Sequence, residues 1–302
     1  MKVVFATDGS DYAARAAKIL SKMTAQCPME LEVIMVTFDP DEPSPNVARP
    51  WYEEYREYIT KNVEGHFDSL RPLLENDCQK VNSLHVHGDP KHQILERVRE
   101  TQPDLVVLGA RGHSTLESFL LGSVSECIAF NAPCSVLVLR PSEDENAEDQ
   151  TAHAIHRILI GVDGSQRAEA ALAELARQKL APETALELVA INKPSEIMLG
   201  DMAYYPATIP EMEDGTEALL KEASERWRNK LTFTKKNRIT AHHVGEAICQ
   251  QARDSEVDLI LLGDSGHSPL GKLLLGSTTK YVLRHADCSV WISRYVPDSE
   301  TT

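Results

Sequence analysis

The sequence is poor in the features that mark several whole classes of protein. Its six cysteines (Cys27, Cys78, Cys127, Cys134, Cys249 and Cys288) form no C-x-x-C pair and no evenly spaced framework. A disulfide scaffold is therefore excluded, and free thiols in a reducing compartment are expected. Positive charge is short: 31 Lys and Arg face 46 Asp and Glu, a formal charge of −15. Nucleic-acid and anionic-membrane surfaces depend on clustered Lys and Arg, so neither is expected as a partner. No apolar run approaches the roughly 20 residues of a membrane span, which makes the cytoplasm the expected location. There is no G-x4-G-K-[ST] loop, and no Ser/His/Asp set can be assembled.

What remains is an ordinary globular composition over 302 residues, with 42% hydrophobic and 25% charged residues. That length suggests about two domains. An internal repeat supports the same division. Gly109-Ala110-Arg111-Gly112-His113 runs on to Leu121-Gly122-Ser123, and Gly263-Asp264-Ser265-Gly266-His267 runs on to Leu275-Gly276-Ser277. Nine of the fifteen aligned positions are identical. Each copy follows an apolar run (Leu105-Val106-Val107-Leu108 or Leu259-Ile260-Leu261-Leu262) that reads as a buried strand, and each ends where a helical pattern begins.

The rest of the chain repeats nearly in step. Lys2–Thr7 and Arg157–Val162 read as strands, each followed by Asp-Gly-Ser (Asp8-Gly9-Ser10 and Asp163-Gly164-Ser165). Helices follow, with Ala13, Ala17 and Leu20 on one apolar face and Ala168, Leu172 and Leu175 on the other copy's. Leu31–Phe38 and Leu186–Lys193 read as second strands. Next come irregular, proline-bearing segments, 39–50 and 194–215; a long loop of the latter kind is a lid, a partner surface or a disordered stretch. Helices are expected near Trp51–Asn76 and Glu217–Thr234, then alternating strands at Ser83–His87 and Ile239–Val244. The last strands are Ser135–Leu139 and Ser289–Ser293, preceded by helices from Ser123 and Ser277.

Five strands alternating with four helices, twice, predict two tandem doubly wound α/β domains with mainly parallel sheets. The domains are expected at 1–141 and 156–296, joined by an acidic linker at 142–155. In such sheets ligands bind beyond the carboxyl ends of the strands, where the strand order reverses. There the Asp-Gly-Ser turn and the glycine stretch meet. Glycine lets backbone approach a ligand closely, and a helix start offers N–H groups, so the convergence suits an anion. The plainer alternative is that the glycines only shape a turn and Ser123 only caps a helix.

The G-x2-G-x9-G-[ST] spacing, with a first strand ending in Asp and a last strand of P-C-S-V-L-V-L type, resembles the universal stress protein family over nearly the whole chain. The resemblance implies a flavodoxin-like fold with strand order 3-2-1-4-5. It also implies ATP, with Mg2+, at the switch point. Carried onto this chain, it puts Asp8 near the ribose or a metal-bound water and Val36 at the adenine. Gly109, Gly112, Gly122, Ser123 and Ser125 would hold phosphates, with Val124 and His113 beside them. The second set is Asp163, Ile191, Gly263, Gly266, His267, Gly276, Ser277, Thr278 and Thr279. One departure stands out: Asp264 lies where the first copy has Ala110. A carboxylate beside a triphosphate is repulsive, which predicts weaker ATP binding in the second cleft unless Mg2+ or Lys272 intervenes.

The expected function is thus an ATP-binding regulatory or stress-response module. The alternatives are a slow ATPase or nucleotidyl-transfer enzyme, and an interaction scaffold with empty or differently occupied clefts. The first turn lacks the paired glycines of pyrophosphate-releasing enzymes, and no catalytic residue is assigned. His85 and His87 share one strand face and His242-His243 lie on the matching run; these are a zinc site or, more ordinarily, half-buried strand histidines. Family dimers join through the last strand, which predicts an intrachain pseudo-dimer of Ser135–Leu139 against Ser289–Ser293 with Trp291 in the contact. A further homodimer is the alternative that solution mass would reveal.

Overall fold

The computed structural model describes residues 1–24, 29–38, 50–75, 80–112, 121–141, 155–193, 209–265 and 275–296. The chain divides into two compact units, Met1–Ala154 and Ile155–Thr302. In the first, β1 (Lys2–Thr7), α1 (Asp11–Thr24), β2 (Glu30–Thr37), α2 (Pro50–Leu74) and β3 (Lys80–His87) are followed by α3 (Pro90–Thr101), β4 (Leu105–Gly109), α4 (Ser123–Asn131) and β5 (Ser135–Leu139). Its strands lie in the order β3-β2-β1-β4-β5, all parallel. The second unit repeats this with β6 (Arg157–Gly161), α5 (Gln166–Ala176), β7 (Ala185–Asn192), α6 (Ile209–Trp227), β8 (Phe233–Thr240), α7 (Val244–Asp254), β9 (Leu259–Gly263), α8 (Ser277–His285) and β10 (Ser289–Ser293). Its order is β8-β7-β6-β9-β10, again parallel throughout. Both units therefore have the 3-2-1-4-5 sheet.

Parallel strands covered on both faces must be apolar along their length, and the inner strands are. Every residue of β4 and β5 is buried. The apolar stripe of α1 behaves as its spacing requires, with Ala13 3% exposed and Ala17 and Leu20 fully covered. Ala168, Leu172 and Leu175 are buried likewise on α5.

Three expectations fail in the second unit. Residues 209–215, read as loop, form the first turns of α6, because Pro210 falls where a helix start tolerates proline. The same helix ends at Trp227 rather than continuing to Thr234, and Phe233–Thr240 is strand β8. At the sheet edge that strand carries exposed Lys235 and Lys236 and needs few apolar residues. Finally, His242 and His243 do not lie on a strand. His243 is the N-cap of α7, its Nδ1 accepting from the Glu246 amide at 3.1 Å. The linker, most of both proline-bearing segments, Cys27, Cys78 and Lys272 lie outside the described residues.

Candidate functional site

At the end of β1 the chain turns sharply through Asp8-Gly9-Ser10. The turn requires a left-handed residue, and Gly9 supplies it at φ +81. Asp8 Oδ1 accepts from the Ser10 amide (3.0 Å) and the Ser10 hydroxyl (2.6 Å). Ser10 Oγ in turn accepts from Ala13 N at 3.2 Å and so caps α1. This fixes the Asp8 carboxylate at the carboxyl edge of the sheet. His66, reaching in from α2, brings Nε2 to 2.9 Å from Thr7 Oγ1. Burial pulls its pKa below the usual histidine value, while the nearby Asp8 carboxylate pulls it back up.

Just after β4 the chain brings Gly112 against Asp8. A Cβ on Gly112 would collide with Asp8 Oδ2, so any larger residue there must displace the carboxylate or the backbone that carries it. At Gly109 a Cβ would press on the Tyr12 ring at 3.1 Å. The far end of the loop is tied back by Gly122 N, which donates to Ala110 O at 2.7 Å. Ser125 Oγ donates to Gly109 O at 2.7 Å. Helix α4 then starts from Gly122 with no side-chain cap.

An α-helix leaves its first amides without partners in the helix itself. At three other helix starts a side chain accepts from one of them: Asp89 caps α3, Ser165 caps α5 and His243 caps α7. At α4 the Glu126 amide returns to Gly122 O, and among the described residues nothing accepts from the amides of Ser123, Val124 and Ser125. These three residues line a cleft of about 280 Å³, whose lining also includes Asp8, Val36, Pro90, Ile94, Arg111 and Gly112.

The second unit rebuilds the arrangement. Gly164 takes φ +78, Asp163 Oδ1 accepts from Ser165 N at 2.9 Å, and Thr279 Oγ1 donates to Gly263 O at 2.9 Å. Gly276 N donates to Asp264 O at 2.7 Å, and α8 also starts without a side-chain cap. Its cleft measures about 360 Å³ and is lined by Asp163, Ile191, Val244, Ile248, Ser265 and the Ser277-Thr278-Thr279 helix start, among others.

Every described residue of the sequence-derived site reaches one of the two clefts: Asp8, Val36, Gly109, Gly112, Gly122, Ser123, Val124 and Ser125 in the first, and Asp163, Ile191, Gly263, Gly276, Ser277, Thr278 and Thr279 in the second. His113, Gly266 and His267 lie outside the described residues. The feared repulsion from Asp264 has no basis in the geometry. That side chain is only 7% exposed and is not among the described residues that line the cleft. Its oxygens face Arg167 Nε at 3.4 Å and Arg294 Nε at 3.7 Å.

His85 and His87 do share a face, both within hydrogen-bonding distance of Thr37 Oγ1 (2.8 and 3.1 Å). Burial first, and His87 second, lower the pKa of His85. Among the described residues no three His, Cys, Asp or Glu side chains converge as metal ligands. Sequence reasoning missed Pro90 and Ile94 on α3 and their counterparts Val244 and Ile248 on α7. Their matched places in the two halves were the available signal.

The universal stress protein family model matches residues 1–140 and again 154–294. The chain belongs to the universal stress protein family. Over 147 residues it is 31% identical to a universal stress protein of Methanocaldococcus jannaschii, a match covering 48% of this chain and 84% of that one. Against a universal stress protein of Mycobacterium bovis the identity is 26% over 257 residues, covering 84% of this chain and 82% of the other. The crystal structure of a universal stress protein from Archaeoglobus fulgidus shares the fold, with a TM-score of 0.66 and 17% identity over 99% of this chain and 97% of that one. No helix among the described residues is long and apolar enough to cross a membrane.

Proposed function

We propose that this universal stress protein binds ATP in its clefts and acts as a regulatory module whose output is conformation or partner binding rather than rapid turnover. One observation carries the reading. Helix starts α1, α3, α5 and α7 are capped by side chains, whereas α4 and α8 start from an uncapped glycine and open into a cleft. Unpartnered amides and the positive end of a helix dipole favour an anion at that spot. Apolar side chains, Val36 and Ile94 in the first cleft and Ile191 and Ile248 in the second, give the flat faces an adenine needs.

In the first cleft Asp8, held by Ser10, is the acceptor suited to a ribose hydroxyl or to a water on Mg2+, which would arrive with the phosphates. Ser125 and Thr279 have a different part. Each commits its hydroxyl proton to a strand-end carbonyl and so supports the loop. Arg111 is the cation among the described residues lining the first cleft. Phosphoryl transfer relies on charge stabilisation at the transferred group, so slow hydrolysis at most is expected.

Calorimetric titration of the full chain with Mg–ATP, paired with a phosphate-release assay, tests this. Saturable binding with negligible phosphate release is expected. Saturable binding with rapid multiple turnover would make it an enzyme, and no binding would leave an interaction scaffold.

A further inference from the structure

We infer that His243 is a proton-operated latch on the start of α7: neutral, it caps a helix that lines the second cleft, and protonated it releases that cap. The latch does not depend on which ligand the cleft takes.

The two clefts have matching walls. Pro90 and Ile94 of α3 line the first, Val244 and Ile248 of α7 line the second, and the residue just before each helix is its N-cap. In the first unit that residue is Asp89, whose Oδ1 accepts from the His92 amide at 2.9 Å. In the second it is His243, whose Nδ1 accepts from the Glu246 amide at 3.1 Å.

One task is thus given to two acceptors of different chemistry. A carboxyl group keeps an acceptor oxygen whether or not it is ionised, whereas an imidazole accepts only at its unprotonated nitrogen and an imidazolium has none. A backbone N–H can only donate, so the bond fixes neutral His243 as the tautomer with its proton on Nε2. A second proton must go to Nδ1, where it faces the amide hydrogen, and the cap is lost. Histidine is the side chain whose charge ordinarily changes between pH 5 and 8. The start of α7 therefore responds to acid in that range, and the start of α3 does not.

The surroundings let the proton arrive. His243 is exposed. From α8 the Tyr281 ring lies 4.2 Å away, centre to centre, within range of a cation–π contact. Glu246 is the acid in the first turn of α7, and His242 precedes the cap. On Tyr281 is stacked His285 at 4.0 Å, its Nδ1 2.8 Å from Tyr281 O. A carbonyl only accepts, so His285 donates there in either charge state and keeps its bond in acid. The positive end of the α7 dipole opposes an imidazolium and adds to the release. Tyr281 also packs on Gly245, where an added Cβ would meet it at 2.8 Å, so the helix stays seated and the loosening is confined to its first turn.

Amide hydrogen exchange of the full chain without ligand tests this at pH 7.5 and 5.5, corrected for the intrinsic pH dependence of exchange. In wild type the Glu246 amide should lose protection by at least about threefold on acidification, while the His92 amide under Asp89 keeps its own. His243→Asn and His243→Asp supply caps that do not lose their acceptor in this range, and both should hold the Glu246 protection at either pH. Thermal melts verify folding, and each variant stands in for the other should one fail to fold. If wild type keeps its Glu246 protection at pH 5.5, the inference is overturned. If a folded variant loses protection as wild type does, the release comes from a group other than His243 and the inference is overturned as well. Neither result touches the nucleotide reading.

Discussion

Ser125 gives its hydroxyl proton to the carbonyl oxygen of Gly109, 2.7 Å away, and both residues line the first cleft. Thr279 does the same for Gly263 at 2.9 Å in the second. Both hydroxyl residues are at most 6% exposed, so each bond closes off a carbonyl at the strand end. Replacing Ser125 by Ala leaves that acceptor without its donor, which costs about 1–3 kcal/mol. Thermal melts should show the first unfolding transition lowered by Ser125→Ala and largely restored by Ser125→Thr, the residue used in the other copy. Equal melting of Ala and Thr variants would contradict the role.

The packing of Gly112 over Asp8 yields a second expectation. Any Cβ at 112 meets the carboxylate, so Gly112→Val must displace either the loop or Asp8. Affinity of the first cleft for Mg–ATP should fall at least tenfold while far-UV circular dichroism is unchanged. Undiminished affinity would mean the loop does not shape the site.

Two other glycines should behave in the opposite way. Gly65 and Gly215 sit inside α2 and α6, and an added Cβ meets nothing within 4 Å at either. Glycine in a helix interior costs about 0.5–1 kcal/mol relative to alanine. Gly65→Ala and Gly215→Ala should each raise stability by about that amount in denaturant unfolding. A loss of stability would show that the helices are packed differently there.

Histidine burial sets the expected pH response. His66 and His85 both have folded-state pKa values lowered from 6.5, chiefly by burial. Their unfolded forms therefore take up protons more readily than their folded forms, so stability rises with pH in this window. It should be intact above about pH 6.5, the ordinary value, and decline as the pH falls from there toward the lowered folded-state values. Melts between pH 7.5 and 5 should show this slope, and His66→Gln with His85→Gln should flatten it. An unchanged slope in the double variant would exclude these histidines as its source.

The sequence made some of this legible and hid the rest for physical reasons. The inner strands could be read because burial on both faces leaves β4 and β9 continuously apolar. The clefts could be read because the Asp-Gly-Ser turn and the glycine spacing are local. Strand β8 was hidden: an edge strand tolerates Lys235, Lys236 and Asn237, and so loses the apolar signal. The setting of Asp264 was also hidden, since its neighbours Arg167 and Arg294 lie far away in sequence on either side. His66 carries no motif at all. It reaches Thr7 only because α2 crosses the end of β1, a tertiary fact that no window of sequence contains.

The central claim is that main-chain amides at the starts of α4 and α8 hold the phosphates, and removing those amides tests it most directly. Proline fits the first position of a helix, and Gly122 and Gly276, at ψ 145 and 153, already have the backbone that precedes proline. The double variant Ser123→Pro, Ser277→Pro therefore deletes two amides without breaking either helix, and Ser123→Ala, Ser277→Ala deletes only the hydroxyls. In Mg–ATP titrations of the folded chain, the proline variant should bind at least tenfold more weakly than the alanine variant. If the proline variant binds Mg–ATP as tightly as wild type, the account is wrong.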